Sequence, residues 1–233
     1  MIKKSKIFYD PRLIEEAVFY AQRDGYVSTE IQARRCRIYE IVDSDERERH
    51  FNELNRNWFD RLGLGEVIEQ CLSEQPLFDA QIERCLVVGA AQAKEEGAEL
   101  FVAPDEKHPG RERRTLRLLI RPESLLTTDP LRIFLRRELF HIADMLDPDF
   151  AYQPTLPKAE GGPTYDTLIT NRYRVLWDIT VAGRMLRRGW LDVSTRNQQF
   201  REFVRCFAMV KDNLEKLFAS FFDAEQPRHA ELA

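Results

Sequence analysis

The chain contains few of the residues that build metal cages or disulfide frameworks. Its 233 residues include four cysteines and four histidines, and no two cysteines form a CxxC pair. A zinc cage or a dense disulfide framework is therefore not expected, and reduced thiols fit this sparse spacing. No apolar run approaches the roughly 18 residues of a membrane span, and the opening MIKKSKIFYDP lacks the apolar core of a secretory signal. We expect a cytoplasmic protein without a membrane partner.

The charge pattern does not favour nucleic-acid binding. The formal net charge is −4, whereas nucleic-acid-binding domains are usually basic. One stretch is rich in arginine, with residues Arg111, Arg113, Arg114, Arg117 and Arg121. No aromatic residues lie between them, and side chains alternate between the faces of a strand, so only some of the arginines share a face. We expect intramolecular ion pairs here and no nucleic-acid partner.

The clearest local signal is a helix between Asp129 and Asp147. Asp129 followed by Pro130 is typical of a helix start, because the aspartate caps the first amides and proline needs no hydrogen-bond acceptor there. Pro148 disfavours helical geometry in the residue before it, so the helix should end at or before Asp147. Apolar residues recur at helical spacing and form one row, which contains Leu135, Leu139, Ile142 and Leu146.

A second row of this helix mixes polar and apolar side chains, and its members are Phe134, Glu138, His141 and Met145. Glu138 and His141 lie one turn apart and about 60° apart around the axis. A buried carboxylate or imidazole costs free energy unless another group satisfies it. This row therefore predicts that Glu138 and His141 have specific partners.

The run RELFH at residues 137–141 resembles the HExxH helix of zincin metallopeptidases, with arginine at the first histidine position. The surrounding LRRELFHIADMLDP is similar to a bacterial zincin-like family that reads LRHELxHIxDMLDP, and the likeness extends from about Ala98 to Trp190. In zincins the two histidines bind zinc and the glutamate is the general base. The resemblance implies that Glu138 is the base if the protein is active and that His141 is a metal ligand.

Arg137 breaks the motif, because a guanidinium has no lone pair available for a cation. Three acids are candidates for a further ligand. Asp147 lies at the metzincin position, six residues after His141, but a continuing helix puts it about 9 Å along the axis from that histidine. Asp144 lies where that motif has glycine. Asp178, in a later helix that we expect over residues 168–188, is the acid we prefer.

Three functions follow from these residues. The first is a zincin-like protein with a degenerate metal site, in which Arg137 replaces the metal and pairs with Asp178 or Glu138. Such a protein would bind no zinc tightly and would take a peptide or protein ligand. The second is an active metal-dependent hydrolase with Glu138 as base, His141 and Asp178 as ligands, and one of the other two acids as a further candidate. The third is a helical scaffold without a metal, in which Glu138 and His141 bond only to protein groups.

The residue pattern of the whole chain predicts an α+β fold that is mostly helical. We expect a helical N-terminal subdomain over residues 1–88, including a helix over 77–88, and a zincin-like core over residues 89–233. The core would contain strands over 98–103 and 114–120 followed by the active-site-type helix, an order that the zincin resemblance also implies. An apolar seam over 200–221 predicts one long C-terminal helix, in a monomer or in a homodimer formed through that seam. The residues after Asp223 are expected to be loose.

Overall fold

A computed structural model describes residues 3–26, 30–106, 108–110, 112–158, 162–209 and 213–233. The protein is α+β and mostly helical, with a small mixed sheet, as the sequence predicts. The chain divides into two compact units, Met1–Leu135 and Arg136–Ala233. One residue of the arginine-rich stretch, Arg111, lies outside the described residues.

The first unit contains helices and the strands of the sheet. Its helices are α1 (Pro11–Arg23), α2 (Glu30–Tyr39), α3 (Ser44–Arg61), α4 (Glu66–Ser73) and α5 (Phe78–Gln81). Its strands are β1 (Ile7–Tyr9), β2 (Arg84–Gly89), β3 (Gly97–Pro104) and β4 (Glu112–Ile120). The two strands that the sequence predicts are β3 and β4, and both are present.

The strands form one sheet in the order β1-β2-β4-β3. β2 pairs in parallel with both β1 and β4, while the edge strand β3 pairs antiparallel with β4. One face of the sheet is buried through alternate residues, which are Cys85, Val87, Leu116, Leu118 and Ile120. After β4 the chain passes through a 3-10 turn (Pro122–Leu126) and enters helix α6 (Thr128–Leu146).

The predicted helix over 77–88 is wrong. This segment contains only the short α5, and Arg84–Gly89 forms β2. A short apolar run such as the one around Cys85 and Val87 fits a buried strand as well as a helix, and pairing with β4 decides between them. β2 belongs to the same sheet as β4, and both lie in the first compact unit, Met1–Leu135.

The arginines of β4 take part in ion pairs within the first unit. Arg113 donates two hydrogen bonds of 2.8 Å to the carboxylate of Glu83. Arg117 Nε donates to Glu99 on the neighbouring strand at 2.7 Å. These contacts are intramolecular ion pairs of the kind that the sequence predicts.

Helix α6 begins at Thr128, one residue before the predicted cap Asp129, whereas its C-terminal end agrees with the prediction. It ends at Leu146, and the amide of Asp147 still donates to the carbonyl of Ala143 at 2.9 Å. The apolar row is buried, as its spacing predicts, at Leu135, Leu139, Ile142 and Leu146. The mixed row that carries Glu138 and His141 is only partly buried.

The second unit contains α7 (Pro163–Arg187), α8 (Ser194–Cys206), α9 (Leu214–Phe222) and α10 (His229–Leu232). The predicted single helix over 200–221 is wrong, because α8 ends at Cys206 and α9 begins at Leu214; residues 210–212 lie outside the described residues. The rings of Phe200 and Phe218 lie 5.2 Å apart, whereas a straight helix would separate them by about 27 Å. The apolar seam therefore folds back and packs on itself.

The residues after Asp223 are not loose, which corrects the last prediction. Leu232 and His229 are buried, and the amide of His229 donates to the carbonyl of Phe150 at 2.9 Å. These contacts hold a segment whose polar composition does not suggest packing. Within the described ranges, no helix has the length and apolar character needed to cross a bilayer.

Candidate functional site

His141 and Asp178 form a hydrogen-bonded pair. The Nε2 atom of His141, on α6, lies 3.0 Å from Oδ1 of Asp178, on α7. The side chain of His141 is 18% exposed and that of Asp178 is 49% exposed, so the pair opens to solvent on the aspartate side. The row pattern that singles out Asp178 thus identifies a residue that contacts His141.

The rest of the His141 ring is enclosed. It meets the ring of Trp177 edge-on, with 4.7 Å between the centroids and 89° between the planes. Its Nδ1 atom is buried and has no hydrogen-bond partner among the residues that the structure describes. The imidazole therefore offers only Nε2 to the open side of the site, where Asp178 lies.

Arg137 and Glu138 form a second pair on α6. The guanidinium donates from Nε and Nη2 to Oε1 of Glu138, at 3.2 and 3.0 Å. The side chain of Arg137 is half exposed, whereas that of Glu138 is largely buried. The two adjacent residues Arg137 and Glu138 thus bond to each other on the surface of α6.

The side chain of Asp144 is buried and makes structural contacts within the second unit. Arg184 donates to both of its carboxylate oxygens, at 2.7 and 2.6 Å, and Nε1 of Trp177 donates to Oδ2 at 2.6 Å. These charge-assisted bonds engage both oxygens. They tie α6 to α7 within the second unit.

Asp147 lies just beyond the end of α6 and shapes the turn there. Its Oδ1 accepts a hydrogen bond of 2.9 Å from the amide of Asp149. Asp147 also borders, with Asp144, a cavity of about 280 Å³ in the second unit. The structure does not gather either acid with His141 and Asp178 into a metal-binding group of described residues.

The donors present do not fit an ordinary zinc centre. A catalytic zinc site takes three protein ligands and a water molecule. The described part of the chain holds no group of three or more histidine, cysteine, aspartate or glutamate side chains that could hold a metal ion. His141 and Asp178 supply two donors, which is one fewer than such a site needs.

Trp177 and Arg184 belong to this region, although sequence reasoning does not identify them. The two residues are seven positions apart, so they lie on one face of α7. One signal points to them, because an acid within a packed helix, such as Asp144, requires a donor on a neighbouring element. His229, which is buried in the same unit, has no comparable signal.

No family model, curated protein or solved structure matches the chain. Its function therefore has to be inferred from its own side chains and their geometry.

Proposed function

We propose that this protein is a zincin-type protein with a degenerate metal site, and that it binds a peptide or protein segment without ordinary zinc peptidase activity. The observation that carries the proposal is the hydrogen bond of 3.0 Å from Arg137 Nη2 to Glu138 Oε1. In the zincin motif the corresponding groups are a zinc ligand and the base that activates a zinc-bound water. Here the side chain that replaces the ligand pairs with the base.

The order of elements supports the zincin assignment. The antiparallel edge strand β3 is followed by β4 and then by the helix that carries Glu138 and His141. This is the order that the resemblance implies. Because one fold hosts many activities, the functional part of the proposal rests on the side chains.

The chemistry of the side chains supports a binding role. The two pairs, Arg137 with Glu138 and His141 with Asp178, are partly exposed. A guanidinium and two carboxylates of this kind form charge-assisted hydrogen bonds with the amide, ammonium and carboxylate groups of peptides. The bonds from Arg137 also engage Oε1, one of the two glutamate oxygens that could accept a proton from water.

A metal-dependent hydrolase is the second candidate, and one distance is compatible with it. The 3.0 Å between His141 Nε2 and Asp178 Oδ1 is close to the roughly 3.3 Å edge of a zinc tetrahedron with ligands at about 2.0–2.1 Å. These two atoms are thus spaced nearly as zinc ligands are. The candidate still lacks the third protein ligand that catalytic zinc sites have.

Zinc content after purification and dialysis distinguishes the two candidates. We expect wild-type protein to retain far less than one zinc per chain. Arg137→His restores the motif and should retain about one, because it adds an imidazole at the first-ligand position. Arg136→His is the matched control, since it adds an imidazole one residue away, outside the spacing of the motif.

Two results would overturn the proposal. Stoichiometric zinc in the wild-type protein, lost in His141→Ala, would favour the hydrolase. Equal zinc retention by Arg137→His and Arg136→His would show that the first position of the motif does not face a metal site. For the binding role, peptides selected from a displayed library should lose affinity for Asp178→Ala, and a library that yields no such peptides argues for the scaffold alternative.

A further inference from the structure

Hydrogen bonds from two arginines hold the end of α9 and the residues just after it against the second unit. Arg187 donates to the carbonyl oxygens of Phe222 and Ala224, at 2.9 and 2.6 Å. Arg196 donates to both carboxylate oxygens of Asp223, at 2.7 and 3.0 Å. These bonds fix the point at which the following residues begin. We call residues 225–232 the latch segment.

His229 holds the latch segment against the second unit. The residue is only 3% exposed. Its amide donates to the carbonyl of Phe150 at 2.9 Å, and its ring Nδ1 lies 2.8 Å from the hydroxyl of Tyr173. Three rings surround the imidazole, with centroids 6.2, 5.6 and 5.2 Å away in Phe150, Tyr152 and Tyr173. The aromatic box is our name for these three rings together with Trp177.

The aromatic box contacts the candidate site. Trp177 packs against Phe150, Tyr152 and Tyr173, with centroid distances of 5.3, 5.7 and 5.5 Å. The same indole meets His141 edge-on. The rings that hold the latch segment therefore contact Trp177, and Trp177 contacts His141, which pairs with Asp178.

The groups that face His229 do not favour a charged imidazole. From the loop after α6 it faces the ring of Phe150 and the phenol of Tyr152, and from α7 it faces the phenol of Tyr173. Burial raises the pKa of Tyr173, so that hydroxyl stays neutral. Burial also lowers the pKa of His229, in agreement with the apolar surroundings of its ring.

Asp144 and Arg184 are paired with each other, and the charged side chains of the latch segment are exposed. Behind the indole of the aromatic box, the carboxylate of Asp144 is paired with Arg184. Arg228 and Glu231 flank His229 in the latch segment itself, and both are exposed. The carboxylate of Glu231 accepts a hydrogen bond from the amide of Arg228. A protonated imidazole at His229 would thus gain no buried counter-ion from these groups.

We propose that residues 225–232 form a pH-sensitive latch, which is docked while His229 is neutral and is released when its imidazole is protonated. The buried position among aromatic rings penalises the charged form. Release would expose the aromatic box, which includes the indole of Trp177 beside His141. The proposal does not depend on the zincin assignment or on any metal.

The direction of the effect follows from linkage. The pKa of His229 is lower in the docked state than its ordinary value of about 6.5. Docking is therefore strongest above that pH and weakens as the pH falls through it. Between about pH 6.5 and a pH equal to the pKa of the docked imidazole, the equilibrium constant for docking should fall by up to about tenfold for each unit that the pH falls.

Amide hydrogen exchange measures docking directly in the whole chain. The amides of His229 and Ala233 are hydrogen-bonded when the segment is docked, to Phe150 and His229 respectively. Exchange of the peptide covering 224–233 is measured between about pH 7.5 and pH 5, relative to the unfolded chain at each pH. We expect its protection to fall by up to about tenfold per pH unit below about pH 6.5, while peptides from α7 change little.

His229→Gln removes the titrating group and keeps a hydrogen-bond acceptor for Tyr173. The segment should then show no pH-dependent protection over this range, whereas His50→Gln, at a partly exposed histidine of the first unit, should respond as the wild type does. Protection that does not depend on pH in the wild type overturns the proposal. An unchanged pH response in His229→Gln also overturns it.

If His229→Gln prevents docking at every pH, the wild-type protein still decides the question. The ring protons of His229 are titrated by NMR, with the variant used to assign the signal. An apparent pKa clearly below about 6.5, with a chemical-shift change that parallels loss of amide protection, supports the latch. An apparent pKa at or above about 6.5 contradicts it.

Discussion

The buried pair of Asp144 and Arg184 leads to a sharp prediction about the candidate ligands. Asp144→Asn removes the charge from a side chain that is 6% exposed, opposite a guanidinium that is 14% exposed. Removing one partner of a buried ion pair leaves the other charge uncompensated, which typically costs about 3–5 kcal/mol. Asparagine can still accept from Trp177 Nε1, so we expect a loss near the lower end, about 3 kcal/mol.

Asp178→Asn provides the contrast. Its side chain is 49% exposed, and the interactions of such exposed groups are screened by solvent and contribute at most about 1 kcal/mol. Unfolding in urea, followed by circular dichroism and tryptophan fluorescence, gives both free energies. We expect the loss of stability in Asp144→Asn to be the larger by about 2 kcal/mol.

The double variant Asp144→Leu/Arg184→Met tests the cause of that loss. Replacing both partners of a buried ion pair with apolar residues of similar volume is often nearly neutral. The double variant should therefore recover much of the stability that Asp144→Asn loses. Equal small losses in Asp144→Asn and Asp178→Asn would refute the assignment of Asp144 to a structural role.

Two further predictions concern packing and pH. Gly183→Ala would drive a methyl group into the carbonyl oxygen of Phe222, so we expect about 1–3 kcal/mol of destabilisation in urea, against little change for Gly89→Ala, where the added carbon meets open space. Glu96 is partly buried, which opposes ionisation, but hydrogen bonds from Arg121 and from a nearby serine hydroxyl outweigh this and lower the pKa of Glu96. The contribution of Glu96 to stability is present above its unfolded pKa of about 4.3 and is lost as the pH falls through the folded pKa. In Glu96→Gln the free energy of unfolding should therefore fall less steeply with decreasing pH on the acid side, the acid limb of its pH dependence. Gly183→Ala at wild-type stability, or an unchanged acid limb in Glu96→Gln, would contradict these expectations.

Local signals in the sequence are sufficient for the elements around the candidate site. Asp129 and Pro130 place the start of α6 to within about two residues, and Pro148 marks its end, because these signals depend on neighbouring residues alone. The acid Asp178 among apolar neighbours points to a partner across the helix contact, and His141 is that partner. Whether any of these residues binds a metal stays a prediction.

Features that depend on tertiary packing are not predictable in the same way. The spacing of apolar residues from Phe200 to Phe221 is the same whether one helix continues or two helices fold back, so the break before Leu214 leaves no trace in the pattern. Only its pairing with β4 distinguishes β2 from a short helix. His229 lies in a polar segment without periodicity, and only the aromatic box formed by distant residues explains its burial.

The zinc affinity of Arg137→His, with and without Asp178→Asn, tests the proposed degenerate zincin site most directly. If the two donors 3.0 Å apart belong to an ancestral metal site, Arg137→His should bind zinc tightly in competition with a chelator. Adding Asp178→Asn should then weaken the affinity by more than about 100-fold, the upper end of what the loss of an outer-shell partner costs. Tight zinc binding by Arg137→His that does not depend on Asp178, or no zinc binding by Arg137→His at all, would contradict this account.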